Sequence, residues 1–140
     1  MVMLIIIKLI ILLHISEASD VTQTPILWAP QGESSQMNCS HTKGATYFYM
    51  YWYRQRHGET MRLIAFTMAN NNPDFGEFSP DKYSADKTVA ERGSFTVSKL
   101  EPDDSGVYFC AVSEHSDTDL LCCCTKTYYK MTNIISSLTS

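Results

Sequence analysis

The chain has 140 residues, which is enough for one domain with extensions. Its 44% apolar content can fill a single core, while a formal net charge of −4 with no Lys/Arg cluster argues against a nucleic-acid partner. Five cysteines is an odd count, so at least one lacks an intrachain partner.

The chain opens with a run that is apolar from Val2 to Leu13 and interrupted by Lys8. It is short, and charged in the middle, for a membrane span. It fits the apolar region of a secretory signal peptide, and Ser16 and Ala18 supply the small-x-small pattern for cleavage after Ala18. Residues 1–18 are therefore predicted to be a signal peptide, with a buried or interfacial helix as the alternative. Export implies an oxidising compartment, where cysteines pair. No later stretch is long and apolar enough to cross a bilayer, so no direct span is expected.

Residues 19–114 are predicted to form one all-β domain of short strands punctuated by turns. In "SSQMNCS", Met37 and Cys39 share one face, and Gln36, Asn38 and Ser40 the other. "YMYWYRQ" is aromatic and strand-prone, and "MRLIAF" is a further apolar strand after the turn "RHGET". "MANNNPDFGEF" is a polar loop. "SFTVSKL" alternates again, with Phe95, Val97 and Leu100 inward. "EPDDSG" breaks the chain before "VYFCAV". Cys39 and Cys110 stand 71 residues apart, with Trp52 13 residues after the first. A disulfide joining two sheets, with Trp52 packed against it, would unite the three. Two free buried thiols are the alternative, which an oxidising compartment disfavours.

Cys39, "WYRQ" at Trp52–Gln55 and "DDSGVYFC" at Asp103–Cys110 together resemble an immunoglobulin variable-type domain. The last carries D-x-G-x-Y-x-C as Asp104, Gly106, Tyr108 and Cys110. The resemblance covers roughly residues 21–113. It implies a V-type sandwich of two antiparallel sheets, with Tyr108 as a tyrosine corner and Lys82 paired to Asp104. A Lys there makes a single-point contact where Arg would make a fork. "VTQTP", "MYWYRQ" and "MRLIAF" make the chain most similar to a T-cell receptor beta variable segment, although "CAV" also occurs in alpha chains.

Strand parity separates two faces. If Trp52 and Cys110 point inward, Tyr53, Gln55 and Phe109 point outward. Such a patch is unusual on a lone domain. The resemblance implies that it pairs with the variable domain of a T-cell receptor alpha chain. Ordinary exposed strand residues are the alternative. Three loops are expected to contact antigen. The first comprises Lys43, Gly44, Ala45, Thr46, Tyr47, Phe48 and Tyr49. The second comprises Thr67, Met68, Ala69, Asn70, Asn71, Asn72, Pro73 and Asp74. The third begins at Ala111, Val112, Ser113 and Glu114. Aromatic content suits the first to recognition, although Tyr47 and Tyr49 packing beneath the loop is the bland reading. The polar second loop suits any surface turn equally. The resemblance implies a peptide presented by a major histocompatibility molecule as ligand, and assembly with CD3 chains through an absent constant region. The location it implies is the external side of the plasma membrane. An immunoglobulin-like protein acting without rearrangement is the alternative.

The four histidines are scattered, and no nucleophile elbow, phosphate loop or metal-spaced pair is present. No enzymatic activity, metal or cofactor is expected. Asn38-Cys39-Ser40 is a glycosylation sequon. Its middle residue is a core cysteine within a strand, so modification is expected to be hindered.

Residues 115–140 lack the Phe-Gly-x-Gly motif with which a joining segment supplies strand G, so that strand is predicted to be missing and the tail disordered. Residues 115–117, His-Ser-Asp, fit translation of the recombination heptamer CACAGTG. Residues 125–127, Thr-Lys-Thr, fit the nonamer ACAAAAACC. Ten codons separate the two starts, and thirty bases less the seven of the heptamer leave a spacer of twenty-three. Residues 115–140 are therefore expected to be germline read-through. Cys122, Cys123 and Cys124 fall within that spacer. Adjacent residues in an extended chain point to opposite faces, so the three do not converge as metal ligands.

Overall fold

The computed structural model describes residues 20–114 in full and the backbone of Tyr128–Leu138. The predicted signal peptide, residues 115–127 with Cys122–Cys124, and the last two residues lie outside the described residues. Nine strands are described: β1 Val21–Gln23, β2 Leu27–Pro30, β3 Ser35–His41, β4 Tyr49–Gln55, β5 Arg62–Met68, β6 Tyr83–Val89, β7 Arg92–Val97, β8 Gly106–Ser113 and β9 Tyr128–Leu138. A 3-10 turn, Pro102–Asp104, precedes β8.

The strands form two sheets, one ordered β1-β3-β7-β6 and the other β2-β9-β8-β4-β5. This is the expected all-β sandwich. Every neighbouring pair is antiparallel except β2 and β9, which run parallel. The alternation of β3 puts Met37 and Cys39 into the core and Gln36 and Asn38 outside. Phe95 and Val97 are fully buried, as the alternation of "SFTVSKL" predicts, and Leu100, beyond the strand and off that period, is buried as well. Phe95 is the hub of the core. Trp52 stacks on it at 5.3 Å between ring centroids, Tyr83 stacks at 5.7 Å, and Tyr108 meets it at 6.3 Å. Such aromatic pairs contribute about 0.5–1.5 kcal/mol each beyond the area they bury.

Cys39 of β3 and Cys110 of β8 are disulfide-bonded, with Cα atoms 6.4 Å apart. The bridge joins the two sheets. Trp52 faces Cys110 in the β4–β8 register, and both are buried.

Strand G requires a correction. The sequence predicts no strand after residue 114, yet Tyr128–Leu138 forms β9 and occupies the open flank of β8. Its register runs from Val112↔Tyr128 to Gly106↔Ile135. On its other side it pairs with β2, from Leu27↔Ile135 to Pro30↔Leu138. The physical reason is generic. An unpaired strand edge offers a row of N–H and C=O groups to any extended segment within reach. "YYKMTNIISSL" is rich in aromatic and β-branched residues, which favour that state. The missing Phe-Gly-x-Gly is a family signature, and backbone pairing does not depend on it.

Candidate functional site

The register brings three loop origins together. Tyr49 opens β4 and pairs with Ser113 at the end of β8 and with Met68 at the end of β5. The connections before β4, after β5 and after β8 therefore leave from one end of the five-stranded sheet. In the first, Gly44 has φ +95°, a conformation that costs glycine little, and Tyr47 N–H closes the turn onto Gly44 O at 3.2 Å. Gly44, Ala45 and Thr46 are exposed, whereas Lys43, Tyr47, Phe48 and Tyr49 are half-buried. Tyr47 packs against the core and lies beneath the Lys43 ammonium, 5.1 Å from its ring centroid. Lys43 also pairs with Asp20 at 3.1 Å. In the second, Asn70, Asn71, Asn72 and Asp74 are exposed, with Ala69 and Pro73 half-buried. Asn70 adopts φ +59°, which asparagine tolerates better than most residues.

Several expected loop residues are instead strand residues. Thr67 is buried, and its hydroxyl donates to Met50 O at 3.0 Å. Ala111, Val112 and Ser113 are buried in β8, and only Glu114 is exposed. The reason is that the β4–β5 and β4–β8 ladders both continue to Tyr49. The second loop thus starts after Met68 and the third after Ser113.

The outer face of the five-stranded sheet is aromatic. Tyr49 and Tyr51 flank Phe66, with ring centroids 5.3 Å and 5.2 Å away. The Tyr51 hydroxyl lies 3.1 Å from Ser113 Oγ. Tyr53 and Gln55 are half-buried on this face, and the Gln55 amide donates to Glu59 O at 3.3 Å. Leu63 stands opposite Tyr53 and is 45% exposed, as is Met61 nearby in sequence. Phe109 departs from the expected exposed patch. It lies outside the central core cluster but is buried, because β8 is flanked by β4 and β9. Sequence reading missed Leu63 and Phe66. A register shift at Trp52/Tyr53 sets Ile64 and Ala65 side by side in the core, so simple alternation along "MRLIAF" fails.

At the opposite end, a buried polar network pins the turn before β8. Lys82 Nζ donates to Asp104 Oδ2 at 2.5 Å and to Lys99 O at 2.8 Å. Glu101 N–H donates to the same carboxylate oxygen at 2.8 Å. The Tyr108 hydroxyl donates to Asp104 O at 2.8 Å. Arg54, unremarked in the sequence reading, lies 4.0 Å from Asp104 Oδ1 and donates to the Tyr83 hydroxyl at 2.9 Å. Its signal was available, since the parity that turns Met50 and Trp52 inward turns Arg54 inward as well. Burial raises the Tyr108 and Tyr83 hydroxyls above the usual tyrosine range. Gln23 was also missed. Its amide donates to Tyr108 O at 2.9 Å and accepts from Cys110 N–H at 3.0 Å, tying β1 to the other sheet.

Lys87 lies near the second loop, where its carbonyl accepts from Asn70 N–H. Its ammonium is buried and donates to the carbonyls of Val89 and Ala90. Burial lowers its pKa from 10.5 to about 8, with Glu91 opposing. The unfolded lysine holds its proton up to 10.5, so between about 8 and 10.5 the folded chain binds fewer protons and stability rises with pH. Below that window the folded state carries the full cost of a desolvated ammonium. A shift of this size corresponds to at most roughly 3 kcal/mol, and solvent screening reduces it further. Losing the carbonyl contacts offsets part of it, so Lys87→Met is expected to stabilise by about 1–2 kcal/mol at neutral pH. Thermal melts of both forms, at neutral pH and in the window above 8, check this. The variant should lose the rise with pH.

Among the described residues no group of three or more His, Cys, Asp or Glu could hold a metal ion. No helix among them is long and apolar enough to cross a membrane.

Two face-to-face β-sheets, a disulfide between β3 and β8, and a tyrosine locked to the turn before β8 define an immunoglobulin-type variable domain. Residues 21–130 match the model of the immunoglobulin V-set domain, and the chain belongs to that family. It resembles T-cell receptor beta variable segments. The human "T cell receptor beta variable 10-3" is 35% identical over 95 residues, covering 67% of this chain and 81% of that one. The likeness extends to the mouse "Immunoglobulin iota chain", 29% identical over 99 residues, covering 69% and 70%. Among solved structures, a chain from the work described as "Structural basis of T cell specificity and activation by the bacterial superantigen toxic shock syndrome toxin-1" superposes with a TM-score of 0.75. It is 22% identical and covers 84% of this chain and 98% of that one. A chain in a crystal structure of a chicken TCR gives 0.72 at 21% identity, covering 86% and 50%.

Proposed function

We propose that this chain is the antigen-recognising variable domain of a T-cell receptor beta chain in germline form. It works as a binding module without enzymatic activity. The outer face of β4 and β5, with Tyr51, Tyr53, Gln55, Leu63 and Phe66, pairs with an alpha-chain variable domain. The loops at the Tyr49 end contact a peptide presented by a major histocompatibility molecule. Export, joining to a constant region and assembly with CD3 chains place the domain outside the plasma membrane. The observation that supports this reading most is the aromatic outer face, flanked by the exposed Leu63 and Met61. Aromatic residues with a polar tip are the residue types that anchor protein interfaces. In this reading residues 115–140 are replaced on rearrangement, and a joining segment supplies the strand beside β8.

The experiment is to sequence T-cell transcripts for this segment. Transcripts that continue into a Phe-Gly-x-Gly motif and a T-cell receptor constant region are expected. Joining only to antibody constant regions would overturn the assignment. One observation favours a second reading. β9 already completes the five-stranded sheet, as a domain that acts without rearrangement requires. Transcripts that always retain residues 115–140 would support that alternative.

A further inference from the structure

The Asn38-Cys39-Ser40 sequon looks unfavourable in the sequence because its middle residue belongs to the core. The geometry of β3 removes that objection. Cys39 turns inward to its bridge, while Asn38 is exposed on the opposite face. The Asn38 main chain is held by Thr24, which accepts from Asn38 N–H at 2.9 Å and donates its own N–H to Asn38 O at 3.0 Å. The residue is thus fixed with its side chain toward solvent.

The surroundings suit a carbohydrate. Asn38 stands beside Ser94, which stands beside Asp86, and in the next row Ser40 stands beside Arg92. Asn38 also lines a shallow groove of about 660 Å³. Small hydroxyls with one acid and one base are the partners that sugar hydroxyls need, and among the described residues lining the groove the exposed apolar side chains are confined to Pro25 and Val89. This face belongs to the four-stranded sheet. A glycan on it leaves the aromatic face of the other sheet and the loop end uncovered.

Timing answers the concern about the cysteine. Cys110 lies 71 residues downstream of Cys39. If export accompanies synthesis, Asn38 reaches the exporting compartment before Cys110 is made, while the sequon is still an unfolded peptide.

We propose that Asn38 is an N-glycosylation site whose glycan lies over the outer face of β1, β3, β7 and β6. Asn38 Nδ2 attacks the anomeric carbon of a lipid-linked oligosaccharide pyrophosphate. The N-glycosidic bond forms, the carbon–oxygen bond to pyrophosphate breaks, and the amide loses one proton. The Ser40 hydroxyl is the second element of the acceptor. The inference rests on the export reading of residues 1–18.

The test is expression of the full chain in cells with a glycosylating secretory pathway, followed by intact-mass measurement with and without an amide-cleaving glycosidase. A mass loss of one N-glycan is expected, absent in both Asn38→Gln and Ser40→Ala. Cys110→Ala should keep the glycan, since attachment precedes the bridge. A mass unchanged by the enzyme overturns either the acceptor assignment or the export reading on which it rests. A second copy with residues 1–18 replaced by a standard secretory leader identifies which premise fails. No glycan there means Asn38 is not an acceptor. A glycan only there means the export reading is wrong and the acceptor assignment stands.

Discussion

Asp104→Ala is expected to destabilise the domain by about 3–5 kcal/mol, the range for removing one partner of a buried ion pair. The carboxylate is 5% exposed and serves Lys82, Arg54 and the Glu101 N–H together. Without it, Lys82 can move toward Glu101, whose carboxylate is already 4.0 Å away. Arg54 has no such relief. It is 9% exposed and keeps only neutral partners, the Tyr83 and Tyr108 hydroxyls. Most of the cost is therefore that of a buried guanidinium without a counter-charge. Lys82→Ala should cost much less, roughly 1–2 kcal/mol, because Arg54 still faces Asp104. The double variant Arg54→Met/Asp104→Ala should recover much of the loss, since the stranded charge is gone. Urea melts of the four proteins check the ordering.

Replacing both Cys39 and Cys110 with Ala has the second large effect. The bridge closes a loop of 71 residues, which corresponds to about 4 kcal/mol in the chain-entropy model. Small domains have only about 5–15 kcal/mol in total. The double variant should therefore lie near the edge of folding, with its melting temperature lowered by roughly 15–30 °C. Melts of the oxidised wild type and the variant give the difference. A fall of only a few degrees would mean that the Phe95 aromatic cluster holds the sheets without the bridge.

Much of the fold was legible because it rests on local alternation. Met37 and Cys39 in β3, and Phe95 and Val97 in β7, follow a period of two and sit in the core. Arg54 follows the same rule, but a charged residue on a core face is not expected from sequence without its partner in view. Leu63 and Phe66 were not legible, since a register shift at one step of β5 breaks the alternation and no residue type announces it. Parity alone predicts an exposed Phe109. Parity tells which face a side chain takes, but burial depends on how many strands flank it. β9 was overlooked for a different reason. Its sequence carries no family motif, yet pairing needs only strand propensity and an open edge. Gln23 joins β1 to residues more than eighty positions away, a contact that no spacing rule contains.

The proposed binding of a second variable domain by the outer face of β4 and β5 is tested by light scattering of the full chain mixed with a T-cell receptor alpha variable domain. The expected result is an equimolar complex, weakened about tenfold or more by Leu63→Arg, whose exposed position leaves the fold intact. A chain that stays monomeric with alpha variable domains, or a complex indifferent to Leu63→Arg, would contradict it.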